Sequence, residues 1–177
     1  ANFGDLSLGV WGSPTQNPLV HVGDYNGDGK TDVLYLLDTG NGYNWRLRPY
    51  GISANMSDLV ISIKNGLGTA TNISYKPLSD SSMYVGDPDG AYPYQNIQTP
   101  IYVVSQISAS NGTGGTNTTT YRYGGLKKHW YADTSLGFRW TQTTDSAGLV
   151  HVTYNNQNRE AGIDGTVALT QTFANGV

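Results

Sequence analysis

The chain has 177 residues, of which only 13% are charged, and a formal net charge of −3. The longest basic run is Lys127-Lys128, which disfavours nucleic-acid binding through phosphate neutralisation. The absence of cysteine removes disulfides, thiolate metal sites and cysteine nucleophiles, and no apolar stretch reaches the length of a bilayer-spanning helix. Glu160 is the only glutamate and lysine is sparse, while Gly (23) and Tyr (13) abound. Strong helix formers are therefore scarce and β-formers plentiful, which predicts an all-β protein with many turns.

Ala1-Asn2-Phe3-Gly4 has neither the basic start nor the apolar core of a leader, so the chain is expected to be a mature protein or a piece of a longer one. Leu19 to Val22 and Val33 to Leu37 read as strands on either side of the loop Asp24-Tyr25-Asn26-Gly27-Asp28-Gly29-Lys30-Thr31-Asp32. That loop places oxygen-bearing side chains at its first, third, fifth and ninth positions and a glycine at its sixth. Calcium takes six to eight oxygen ligands, and a short loop supplies them only if it folds back on itself. Asp24, Asn26, Asp28 and Asp32 are the expected side-chain ligands and Lys30 the expected carbonyl ligand, with Gly29 allowing the sharp turn. An EF-hand would continue into a helix with a glutamate at the twelfth position. Here an apolar β-run follows, so the expectation is a structural calcium loop that leads into a strand.

Tyr43 to Pro49 alternates through Trp45 and Leu47 as a further strand. A composition break near Tyr50 to Met56 then separates an expected calcium-bearing unit, 1–52, from an expected antiparallel meander, 53–177. Asp58 to Lys64 and Thr69 to Tyr75 flank Asn65-Gly66-Leu67-Gly68 and read as a hairpin. Ser79 to Thr99 lacks periodicity and reads as a long ordered loop held by Tyr84, Tyr92 and Tyr94. Strands are expected at Pro100 to Ser108 and Asn117 to Tyr123, with a polar tip at Ala109 to Gly115. A second pair, Leu136 to Thr144 and Leu149 to Asn155, turns at Asp145-Ser146-Ala147-Gly148, and Thr166 to Phe173 is the last strand. No segment has helical periodicity.

Candidate chemistry is thin. His21 and His151 alternate with apolar neighbours and read as packed or surface residues. His129 lies in Lys127-Lys128-His129-Trp130-Tyr131, either a solvated loop or a small basic-aromatic patch for an anion or a partner. Asp87 and Asp89 read as turn residues around Pro88, and Glu160 and Asp164 as loop residues. No Gly-x-Ser-x-Gly elbow occurs, and no glycine-rich loop precedes a helix. Trp11, Trp45, Trp130 and Trp140 read first as core and sheet cover, and secondly as flat platforms for sugars.

Two stretches carry a family resemblance. Val22 to Leu34 resembles an FG-GAP or VCBS propeller-blade repeat. The ordered series Asp58 to Gly68, Ile73 to Leu78, Tyr92 to Gln95, Thr99 to Val104, Gly114 to Gly125 and Leu136 to Arg139 is similar to the B components of bacterial insecticidal toxin complexes, in the wider RHS and YD-repeat group. The resemblance spans roughly residues 19–155, and nothing after Asn156 is matched by it. It implies a position at the junction between a calcium-bearing blade and the first strands of a hollow β-shell. The expected function is then a non-enzymatic, calcium-stabilised scaffold segment of a secreted bacterial protein, partnered by other parts of the toxin assembly. Two alternatives stay open: a secreted calcium-dependent adhesin or carbohydrate-binding module, and a β-rich protein that assembles with itself through strand edges.

Overall fold

A computed structural model describes residues 6–11, 20–38, 42–48 and 59–174. All the regular structure in them is β, and every paired strand but one short bridge is antiparallel. Two compact units meet in sequence between Leu59 and Val60. The expected boundary at 52/53 lies outside the described residues.

The first unit holds four strands: β1 (Leu6–Trp11), β2 (Val20–Gly23), β3 (Asp32–Asp38) and β4 (Tyr43–Arg48). β2, β3 and β4 form a meander, and β1 adds to the free side of β4, giving the order β1-β4-β3-β2. The register Val22↔Val33 and Gly23↔Asp32 makes the expected calcium loop the connection of a hairpin, so its two ends are held one strand spacing apart. Leu36 and Leu47 are buried in this sheet, as the alternation around Trp45 requires. β1 was not apparent from the sequence, because Leu6-Ser7-Leu8-Gly9-Val10-Trp11 is interrupted by glycine and its register against β4 shifts between Ser7 and Val10.

The second unit is one large sheet. Its strands are β5 (Ser62–Lys64), β6 (Ala70–Pro77), β7 (Tyr84–Val85), β8 (Tyr94–Asn96), β9 (Tyr102–Ser110), β10 (Thr116–His129), β11 (Thr134–Thr144), β12 (Leu149–Asn155) and β13 (Val167–Ala174). The path runs β13-β12-β11-β10-β9-β6-β5, with β7 and β8 attached to β10. The expected hairpins form where the Asn-Gly and Asp-x-x-Gly turns place them: Asn65 bonds the amides of Leu67 and Thr69, and Asp145 bonds those of Ala147 and Leu149.

β10 is longer than expected because its edge changes partner. Residues 116–120 pair with β9, Tyr123 and Gly124 with the parallel β7, and residues 127–129 with β8, while β11 runs along the other side. The Lys127-Lys128-His129 stretch is therefore strand and not a solvated loop. The core sits where these partners meet. Leu78, Tyr84 and Leu126 are buried together, with Ile97, Val103, Tyr123 and Phe138 packed around them. The Tyr84 hydroxyl donates to the Ile97 carbonyl and accepts the Leu126 amide, which anchors the long 79–99 segment as the sequence suggested. Tyr92 does not share that role, since it is largely exposed.

Gly124 and Gly125 make this corner possible. The Trp140 indole lies against Gly124 so closely that a Cβ there would clash with the ring atoms. Gly125 has a φ of 62°, with the Arg139 side chain 2.8 Å from where its Cβ would stand. Gly124→Ala is expected to destabilise the chain by about 1–3 kcal/mol through overpacking. Gly112→Ala, in an open turn at φ 79°, should cost only about 1 kcal/mol of backbone strain. Urea unfolding of the two variants beside the parent chain measures the difference, and equal effects would contradict the close Trp140 approach.

Candidate functional site

The first candidate is the loop of residues 24–32. Its carboxylates order its own backbone. Asp24 Oδ1 accepts the amides of Gly27 (2.7 Å) and Asp28 (3.1 Å), and Asp24 Oδ2 that of Gly29 (2.8 Å). Asn26 Oδ1 accepts from the Asp28 amide at 2.9 Å, and Asp28 Oδ1 from the Lys30 amide at 2.9 Å. Asp32, at the first position of β3, is 0% exposed, and its Oδ2 accepts the amides of Tyr25 (3.0 Å) and Asn26 (3.3 Å). Gly27 (φ 73°) and Gly29 (φ 81°) supply the left-handed conformations that turn these amides inward.

Asp24, Asn26, Asp28 and Asp32 thus share one connected hydrogen-bond network, as the spacing requires. Among the described residues, no three His, Asp or Glu side chains are gathered closely enough to form a metal site by themselves. The expected ligand set holds three carboxylates, Asp24, Asp28 and Asp32, and these are not brought together as such a group. A carboxylate offers about four lone-pair positions, so an oxygen that accepts an amide keeps acceptor capacity for a cation. The donor set is all oxygen, which is the chemistry of calcium and not of a softer metal.

The second candidate is a charged corner that the sequence did not reveal. Asp87, expected to be a turn residue, is buried, and its Oδ2 lies 2.9 Å from Lys127 Nζ and 2.8 Å from Arg139 Nη1. Lys127 is also buried, whereas Arg139 is half exposed and reaches Asp89 at 3.7 Å as well. Burial pushes the Asp87 carboxyl up, but the hydrogen bonds from Lys127 and Arg139 outweigh it and bring it down to about 2. The Asn96 amide donates to the Asp87 backbone carbonyl. Beside this cluster a cleft of about 270 Å³ is lined by Gly86, Asp87, Pro88, Gly125, Arg139, Trp140 and Tyr154. Because Arg139 already serves Asp87 and Asp89, the cluster links β10 and β11 to the 86–90 turn and carries no nucleophile or acid–base pair.

His129 is buried, and both ring nitrogens are engaged. Nδ1 accepts the Ala132 amide at 3.2 Å and Nε2 lies 3.0 Å from Glu160 Oε1, so the hydrogen-bond pattern assigns the Nε2–H tautomer with Glu160 as acceptor. Glu160 and Asp164 do not converge as a carboxylate pair, since Asp164 faces Arg159 at 3.3 Å. His21 lies 6.0 Å from Trp45 on the first sheet, and His151 Nδ1 meets Thr172 Oγ1 at 2.9 Å across β12 and β13. Of the tryptophans, Trp140 covers Gly124, Trp130 is exposed, and the side chain of Trp11 lies outside the described residues.

A family model described as the insecticide toxin TcdB middle/N-terminal region matches residues 4–164. No curated protein matches the chain.

Asp87→Asn should destabilise the second unit by about 3–5 kcal/mol, because it leaves the Lys127 ammonium buried without a counter-charge. The pH dependence has a definite sign. The folded carboxyl titrates at about 2, below its unfolded value near 4, so its contribution is complete above about pH 4 and is lost as pH falls through about 2. Thermal unfolding between pH 5 and 2, within the range these values set, should show a shallower acid loss for Asp87→Asn than for the parent chain. Parallel curves would contradict the assignment.

Proposed function

The chain belongs to the family of the insecticide toxin TcdB middle/N-terminal region, and from that premise we propose that it is a non-enzymatic scaffold segment of a secreted bacterial toxin assembly, held by other parts of that assembly. The observation that carries this reading is how little of the large sheet is covered. Two packed layers normally close a β core. Here the buried apolar side chains among the described residues of the second unit are Leu78, Met83, Tyr84, Leu126, Leu136 and Val152, of which Leu78, Tyr84 and Leu126 form one cluster. Val60, Ile61, Ile63, Leu67, Val167, Leu169 and Phe173 remain exposed toward the two ends of the strand order.

The two edges differ. β5 is three residues long and carries Lys64, which are ordinary protections against unwanted pairing. β13 is eight residues long, has no charge and no proline, and among the described strands pairs only with β12. An unprotected edge of that length suits a strand continued by further sheet, as in an RHS-type shell. The four-stranded first unit, with its loop between β2 and β3, supports the finer reading of an FG-GAP or VCBS-like blade that precedes the shell.

In this reading Ca²⁺ is held by Asp24, Asn26, Asp28, the Lys30 carbonyl and Asp32. Asp24 and Asp32 are already oriented by the amides they accept, and Asp32 is buried at the start of β3. The ion would neutralise the carboxylates and fix the entry into β3.

Calcium at a hundredfold excess over its dissociation constant should add about 2.7 kcal/mol to the stability of the first unit. Asp28→Ala should remove that gain while changing little in chelator; equal destabilisation in both buffers would sink the calcium role. A separate measurement addresses the open edge. Light scattering of the isolated chain should show mass rising with concentration, and Leu169→Lys should suppress the rise by placing a charge on β13. A parent chain that stays strictly monomeric would contradict an unprotected edge.

A further inference from the structure

The cleft beside the Asp87 corner joins aromatic walls to a half-exposed cation. Trp140 and Tyr154 stand directly opposite each other on β11 and β12, so their side chains rise from the same face of the sheet, and both line the cleft. Arg139 lines it too, with its side chain 49% exposed. Its Nη1 bonds Asp87 at 2.8 Å, and the same nitrogen lies 3.7 Å from Asp89 Oδ2, beyond hydrogen-bond range. The Tyr154 phenol is near enough to act on the Arg139 charge. Among the described residues no hydrogen bond engages Nε or Nη2 of Arg139, the Tyr154 hydroxyl or the Trp140 indole N–H. Nε and Nη2 together form an edge of the guanidinium that can grip a carboxylate through two parallel bonds.

We propose that this cleft binds a small organic monocarboxylate, with Arg139 Nε and Nη2 holding the two carboxylate oxygens, the Tyr154 hydroxyl donating to one of them, and the Trp140 and Tyr154 rings covering its apolar body. Three observations select this ligand. The local charges leave room for one more anion. Asp87 is answered by the buried Lys127 as well as by Arg139, whereas Asp89 is 75% exposed and meets Arg139 only at long range. An exposed ion pair of that kind contributes little, so a ligand carboxylate can take the place of Asp89 beside the guanidinium. The groups without a bond are donors, which a carboxylate satisfies and a neutral amide meets with only one oxygen. The volume of about 270 Å³ lies just under the range of about 300–1,000 Å³ that houses drug-sized ligands, so the body is one ring or a short chain. A phosphate dianion would bring more charge against Asp87 and Asp89 and gain nothing from the rings.

The test titrates the full 177-residue chain with benzoate and follows the Trp140 indole N–H resonance by NMR, assigned from its loss in Trp140→Phe. Benzamide, a neutral body of the same shape, and inorganic phosphate are the comparison probes. Saturable movement with benzoate is expected, with both comparison probes at least about tenfold weaker. Arg139→Gln should weaken benzoate about tenfold or more, and Tyr154→Phe about threefold. Asp89→Asn should tighten it about threefold, because it removes the competing carboxylate. Tyr154→Phe and Asp89→Asn leave Asp87 with both Lys127 and Arg139, so they decide the matter even if Arg139→Gln unfolds. No saturable movement with benzoate overturns the proposal. So does equal binding of benzamide or phosphate, or a benzoate affinity unchanged in folded Tyr154→Phe and Asp89→Asn.

Discussion

A single buried carboxylate organises the second unit. Asp87 stands between an ammonium from β10 and a guanidinium from β11, and its own backbone carbonyl accepts from Asn96 at the end of β8. A buried charge without partners would be strongly unfavourable, so Lys127 and Asp87 hold each other in place. Around them the β10 edge passes from β9 to β7 and then to β8. Gly124 and Gly125 give way at the crossing, where Trp140 and Arg139 come close to the backbone. Gln157 completes the corner by donating to the Gly125 and Gly137 carbonyls at 2.7 and 2.8 Å. Polar pairing, more than apolar volume, therefore defines where the strands converge.

The loop between β2 and β3 applies the same economy with a different partner. There the carboxylates of Asp24 and Asp32 accept main-chain amides of their own loop. Amides orient a carboxylate without neutralising its charge. The two sites look alike in composition, each rich in Asp and Gly. They differ in what is seen to meet the carboxylates: Asp87 faces an ammonium and a guanidinium, and Asp24 and Asp32 accept backbone amides.

The large sheet explains how such a chain serves as scaffold. Antiparallel strands with short turns satisfy nearly all their backbone groups locally, and they tolerate one solvated face. Their exposed apolar residues and the bare edge at β13 are what larger sheets use to continue.

Much of the fold was legible from residues alone. The β2–β3, β5–β6, β9–β10 and β11–β12 hairpins and the last strand sit where alternation and turn residues predict them, because a strand's period and a turn's φ values are written within a few consecutive residues. The turn at 24–32 was legible for the same reason, since the residues that order it are nine neighbours. β1, the short strands β7 and β8, and the length of β10 were not. The roles of Asp87, Lys127 and His129 were hidden too, and so was the division of the tryptophans into Trp140 against Gly124 and Trp130 in solvent. The sequence by itself determined the β class, the turns and the self-contained loop, all of them local. Only the tertiary structure decided which charges are buried and which rings are free, because burial depends on partners 31 to 52 residues away, from Glu160 on His129 to Arg139 on Asp87, and no local pattern encodes that distance.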